Sequence, residues 1–162
     1  MRRISRLGWT AYAIAVGVIA LDQAVKFWIL YGFNLPARLT TPVIGPFSLT
    51  MVWNKGVSFG LFRADQDLGR WLLSLFSLVV AAALAWWARR TERGLMSLAL
   101  GLIIGGAVGN AIDRIRFGAV VDFLDFSRLM FPWVFNVADS AISVGVALLL
   151  VDSLMSERKP TS

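Results

Sequence analysis

Four stretches of this chain are apolar for long enough to cross a bilayer, and the segments between them are not. A hydrocarbon core about 30 Å thick takes roughly 20 residues of helix. Leu7 to Leu21 carries no charge, and the apolar pattern resumes past Asp22 to about Tyr31. Trp71 to Ala88 and Leu95 to Ile112 are uncharged throughout. A last run extends from about Asn136 to Met155, with Asp139 and Asp152 near its two ends. Spans are therefore expected at about 9–31, 70–88, 95–113 and 136–156, within a single integral membrane domain over residues 1–162. The stretch from Phe47 to Asn54 follows another rule. Phe47, Leu49, Met51 and Trp53 alternate with Ser48, Thr50, Val52 and Asn54, the period-two signature of a half-buried strand. Gly45-Pro46 precedes it and Lys55-Gly56 follows it. The patterns predict an all-α membrane bundle of four transmembrane helices with a small β-sheet on its surface. Asp65 to Gly69 reads as a short interfacial helix ahead of Arg70.

Charge gives the bundle a direction. Arg2, Arg3 and Arg6 precede the first span, Arg89, Arg90 and Arg93 crowd the turn between the second and third, and Arg158 and Lys159 follow the fourth. The dense cations belong on the cytoplasmic side. Both termini are thus expected in the cytoplasm, and segments 32–69 and 114–135 outside it. The N-terminal arginines and Ala13-Ile14-Ala15 also fit a cleaved secretory signal. Continuation of the helix past Asp22 and three later spans favour an uncleaved first helix. Composition agrees with a membrane protein. The chain is 57% hydrophobic and 16% charged, against about 45–50% and about 25% in soluble domains. The net charge of +6 fits this topology and attraction to anionic membrane lipids. No basic run with interleaved aromatics suggests nucleic acid.

The chain has no Cys and no His, which removes disulfides, thiol nucleophiles, imidazole bases and the usual zinc sites. No metal or cofactor is expected. Gly56-Val57-Ser58-Phe59-Gly60 matches G-x-S-x-G, but a nucleophile elbow needs a strand-to-helix turn and a base, so the match is set aside. Carboxylates, amides, Lys and Arg remain. Ionisable groups in membrane spans are costly, which makes each a functional candidate. Asp22 and Lys26, then Asn110, Asp113 and Arg114, then Asp122, then Asn136 and Asp139 all fall near the outer ends of their spans. Such convergence suggests one site.

Each element also has a plainer explanation. Asp22 and Lys26 form an i,i+4 pair, and Lys26 can snorkel. Asp113 and Arg114 suit a helix-terminal ion pair, and Asn136 with Asp139 resembles a helix cap. Gly101, Gly105 and Gly109 read as small-xxx-small packing steps. Asp65, Asp67, Glu92 and Asp125 read as solvated, and Asp152 as meeting headgroups or an Arg of the short turn. None of these explains the second carboxylate, Asp122. Two carboxylates sharing a site cannot both ionise easily, so one can hold a proton while the other activates water. Asp122, on the loop after the third span, and Asp139, on the first turn of the fourth, are the candidate pair. Asn54, Asn110, Asn136 and Arg114 are placed to hold them and a substrate backbone.

Five motifs in order carry a family resemblance. They are Asp22-Gln23-x-x-Lys26, Asn54-Lys55-Gly56-Val57-Ser58-Phe59, Gly105 through Arg114, Val120-Val121-Asp122-Phe123 and Phe135-Asn136-Val137-Ala138-Asp139-Ser140. The set resembles that of bacterial lipoprotein signal peptidase, also called signal peptidase II, over nearly the whole chain. The resemblance implies an intramembrane aspartyl endopeptidase of the bacterial inner membrane. Such an enzyme cleaves a prolipoprotein just before a diacylglyceryl-modified cysteine, without a cofactor. It implies Asp122 and Asp139 as catalytic residues. Asp22, Lys26, Asn54, Gly56, Asn110, Asp113, Arg114 and Asn136 follow as supporting or substrate-binding positions. It also implies a surface β-cradle around residues 43–60, a cleft that takes globomycin-type inhibitors, and a chain acting as a monomer.

Two other classes compete. A small proton-coupled transporter or channel uses membrane carboxylates too, but it calls for a polar path across the bilayer, often with internal repeats, and the sequence offers neither. A non-catalytic assembly factor would use the same Asp and Arg groups only to pack helices.

Overall fold

The computed structural model describes residues 3–56 and 66–157. Helix α1 (Arg6–Phe27) continues through a π-helical turn, Trp28–Gly32, into the four-residue α2 (Leu35–Arg38). Strands β1 (Thr40–Ile44) and β2 (Phe47–Asn54) follow, then α3 (Gln66–Ala88), α4 (Gly94–Phe117) and β3 (Val120–Asp125). After a 3-10 turn at Ser127–Leu129 come β4 (Val134–Phe135) and α5 (Val137–Glu157). Four helices are long and apolar enough to cross a membrane: Arg6–Gly32, Asp67–Ala88, Gly94–Phe117 and Val137–Ser156. The small sheet is antiparallel throughout, in the order β1-β2-β3-β4. The expected architecture, a helical membrane bundle carrying a small sheet, is the observed one.

Helix α4 is the axis of the bundle. In its most apolar stretch 72% of residues are buried, against 17–33% in the other three helices. Small residues allow this. A Cβ on Gly101 would lie 2.7 Å from the Ala11 carbonyl oxygen, and one on Gly105 2.8 Å from that of Ala15. Helix α5 lies against the other side, where a Cβ on Gly145 would meet the Ala99 carbonyl oxygen at 2.8 Å. The outward faces of α1, α3 and α5 keep large apolar residues such as Val16, Phe76 and Leu150 exposed, as a lipid solvent permits.

The two ends of the bundle differ. At one end, the Ser5 side chain caps α1 by accepting from Gly8 N–H at 2.9 Å, and its hydroxyl donates to the Thr91 carbonyl oxygen at 2.7 Å. There Arg93 pairs with the buried Asp152 at 2.7 Å, so Asp152 meets an arginine of the short turn. At the other end the sheet joins the C-terminal ends of α1 and α4 to the start of α5. Ile29, Leu30, Leu35, Val121 and Phe123 form its apolar underside.

Several expectations change. Asp122 lies on strand β3, not on a loop. The β-branched Val120 and Val121 before it carry the strand signal. The alternation in β2 is interrupted: Leu49 pairs with Leu124 but Val52 with Asp122, so one extra residue bulges between them. Ser48, on the face expected to be polar, is buried. Residues 66–69, the described part of the expected short helix, belong instead to the long α3. Asp65, Val57, Ser58, Phe59, Arg2, Arg158 and Lys159 lie outside the described residues. Asp125 is not merely solvated. Thr50 Oγ1 donates to it at 2.6 Å and Ser127 N–H at 2.8 Å, and these bonds hold its carboxyl below the usual range.

The α1–α4 contact gives a direct test. Gly105→Leu should force the helices apart and lower thermal stability by about 1–3 kcal/mol or more. Gly17→Leu should leave it within error, because nothing lies within 4 Å of a Cβ there. Melting of both variants in detergent decides the point.

Candidate active site

Asp122 and Asp139 come from different elements and are joined through amides. Asn136 ends the β4–α5 connection as the residue before α5. Its side-chain oxygen accepts the Asp139 N–H at 2.9 Å, while Asp139 Oδ2 accepts the Asn136 N–H at 3.3 Å. This is the reciprocal pattern of a capping box, so the cap inferred from spacing exists. It also orients Asp139. The other end of the Asn136 amide donates to Asp122 Oδ1 at 2.6 Å and to Asn110 Oδ1 at 3.2 Å. Asn110 in turn donates to Asp139 Oδ1 at 2.7 Å. The two carboxylates therefore share a bridge of two asparagines.

Asn54, the last residue of β2, closes the site from the sheet. Its Nδ2 donates to Asp122 Oδ2 at 2.9 Å, and its Oδ1 accepts the Gly56 N–H at 2.8 Å. Gly56 sits at φ +81°, and a Cβ there would lie 2.5 Å from Leu73 Cδ1. Only glycine satisfies both constraints, and the turn it makes aims Asn54 at Asp122. An open cleft of about 450 Å³ lies above, lined by Trp53, Asn54, Lys55, Gly56, Asp122 and Trp133 among others. Pro132 and Trp133 were not singled out from the sequence. The Pro132-Trp133 dipeptide in the segment between two spans was the available signal.

Beneath the carboxylates lies a second cluster. Lys26, 2% exposed, does not snorkel. Its ammonium contacts Asp22 Oδ2 at 2.8 Å and Asp113 Oδ2 at 2.7 Å, and donates to Asn110 Oδ1 at 3.2 Å. Asp113 thus pairs across helices and not with its neighbour Arg114. Gln23 Nε2 donates to Asp113 Oδ1 at 2.9 Å and to Asp22 Oδ2 at 3.2 Å. Gln23 stood in a quoted motif without a role, and an amide next to Asp22 inside a span was its signal. Gly109 leaves the space that Asp22 occupies, since a Cβ there would lie 2.8 Å from Asp22 Oδ2. Arg114 donates to the Asn110 carbonyl oxygen at 3.5 Å, and its Nε is buried without a partner. Its charge acts on both Asp122 and Asp139. All ten sequence-predicted residues fall in this one connected region. Among the described residues no group of three or more carboxylates is arranged to hold a metal.

Asp122 is 1% exposed. Burial pushes its carboxyl from 3.8 up to about 6, the charge of Asp139 adds to the rise, and the bonds from Asn54 and Asn136 oppose it. A proton on this carboxyl near neutrality is what a carboxylate pair needs to act as acid and base together.

A four-helix membrane protein with a buried carboxylate–amide cluster that reaches, through Asn54 and Asp122, a cleft lined by a small sheet is, by class, a candidate membrane hydrolase. The family model for signal peptidase (SPase) II matches residues 14–155. The chain is 56% identical over 160 residues to the lipoprotein signal peptidase of Caulobacter vibrioides, covering 98% of this chain and 95% of that one. It is 49% identical over 149 residues to that of a Methylobacterium species, covering 91% and 90%. A bacterial membrane enzyme solved by the in meso method at 2.3 Å resolution superposes with a TM-score of 0.79 at 27% identity, over 100% of this chain and 98% of that one. The chain belongs to the signal peptidase II family and is a membrane peptidase.

The raised Asp122 carboxyl predicts a pH dependence of stability. The folded chain holds a proton that the unfolded chain releases between pH 3.8 and about 6, so this group's contribution to stability falls as pH rises through that window. Relative to wild type, Asp122→Asn should gain on the order of 2–3 kcal/mol between pH 4 and pH 7. Thermal melts of both proteins across that range would reveal it, and a constant difference would contradict it.

Proposed function

We propose that the chain is an aspartic endopeptidase that removes signal peptides from prolipoproteins just before the diacylglyceryl-modified cysteine. The observation that carries this reading is the bridging of Asp122 and Asp139 through Asn136 and Asn110, with Asp122 lining an open cleft. One carboxylate of the pair is ionised and takes a proton from water as that water attacks the scissile carbonyl. The protonated partner hydrogen-bonds the developing oxyanion, and a proton passes to the leaving nitrogen as the C–N bond breaks. The pair titrates jointly, so neither step is assigned to one residue. Arg114 and the Asn54 amide are positioned to hold the substrate backbone. Burial of Asp122 strengthens each of these contacts.

The charge pattern supports an orientation in which the sheet faces away from the cytoplasm and both termini lie inside. The substrate's acyl chains then stay in the inner membrane while the scissile bond rises to the cleft. Globomycin-type inhibitors would occupy the same cleft. The test is cleavage of a diacylglyceryl lipopeptide by purified protein. Asp122→Asn and Asp139→Asn should each lose about 10²–10⁴-fold in rate while remaining folded. The same peptide without its lipid should not be cut. Normal cleavage by either variant would make that carboxylate structural.

A further inference from the structure

Each proposed catalytic carboxylate follows directly after a backbone N–H donated to a buried carboxylate on another element. The Val121 N–H donates to Asp113 Oδ2 at 3.0 Å, and the Ala138 N–H to Asp22 Oδ1 at 3.0 Å. The same two carboxylates converge on the Lys26 ammonium, at 2.7 and 2.8 Å, and both accept from Gln23 Nε2. We propose that Asp22 and Asp113 are positioning residues, clamped by Lys26, that fix the separation of Asp122 and Asp139 by pinning the backbone one residue before each. The inference rests on the carboxylate-pair reading of the preceding section.

The two pinned elements need such a device. Asp122 rides on β3, part of a surface sheet, and Asp139 on the first turn of α5 in the bundle. Strand β4 pairs only with Leu124 and Asp125 of β3, leaving the Val121 amide to Asp113. The Ala138 amide is one of the first-turn donors that a helix leaves unpaired, and Asp22 supplies an acceptor from α1. One ammonium holding both acceptors makes the distance between strand and helix depend on a single rigid cluster. Buried ion clusters are poor sources of net stability compared with apolar side chains of the same volume. The geometry of this one therefore calls for a separate account. A misplacement of about 1 Å at reacting groups costs about 100-fold in rate.

The test compares full-length Asp22→Ala, Asp113→Ala, Asp22→Asn and Asp113→Asn with wild type in detergent on the lipopeptide. The alanine variants should lose about 100-fold in kcat per folded molecule, with KM changed little. The asparagine variants keep an acceptor oxygen and leave Lys26 one carboxylate, so they should fold and recover part of the rate. Amide hydrogen exchange should quicken at Ala138 alone in the Asp22 variants and at Val121 alone in the Asp113 variants. Wild-type kcat in any folded variant whose pinned amide exchanges faster overturns the proposal, as does unchanged exchange at both amides. Should an alanine variant not fold, its asparagine counterpart decides by the same two readouts. Asp122→Asn and Asp139→Asn run beside them separate the failures. If those still cleave, the carboxylate-pair reading falls; if they are inactive and the Asp22 and Asp113 variants are not impaired, only the pins fall.

Discussion

A lysine ammonium almost fully excluded from water, on a helix that crosses a membrane, must find partners for its charge and for its N–H groups. Lys26 finds Asp22 on its own helix and Asp113 and Asn110 on α4. These contacts require α1 and α4 to run nearly backbone to backbone, which Gly101, Gly105 and Gly109 allow. Asp22 keeps Oδ1 for the Ala138 amide that opens α5, and Asp113 Oδ2 takes the Val121 amide of β3 together with the ammonium. The packing of the bundle, the seat of the sheet and the placement of Asp122 and Asp139 all follow from one charge that has to be neutralised in place.

Above this cluster the chemistry changes from ionic to amide-mediated. Asn54, Asn110 and Asn136 each present a donor to Asp122 or Asp139 and an acceptor to something else. Burial and the charge of Asp139 raise the Asp122 carboxyl to about 6, against the bonds from Asn54 and Asn136 that favour its ionised form. The bulge in β2 brings Val52 opposite Asp122, and the Gly56 turn aims Asn54 at it. The cleft is lined by residues of the sheet and its connections, among them Trp53, Asn54, Asp122 and Trp133, and not by mid-bundle side chains.

Much of this was written in the sequence. Four apolar runs specify helices because an unpaired backbone cannot survive in hydrocarbon. The alternation from Phe47 to Asn54 specifies a strand whose bounds the structure keeps. The polar residues at Asp22, Lys26, Asn110, Asp113, Asp122, Asn136 and Asp139 stand out because each violates the surrounding pattern. The spacing of Asn136 and Asp139 is itself the cap.

Only the tertiary structure decided which of these groups belong together. Sequence neighbours suggested Asp113 with Arg114, and a snorkelling Lys26, whereas helix packing delivers Asp113 to Lys26. Local pattern left Asp122 in a loop, because a six-residue strand has no meaning without its partner β2. The sequence signals at Gln23 and Trp133 were too weak to assign them a place, since an amide or an indole acquires a function only from what faces it. Periodicity records how each segment meets its solvent, and the pairing of charges depends on distances that the fold alone sets.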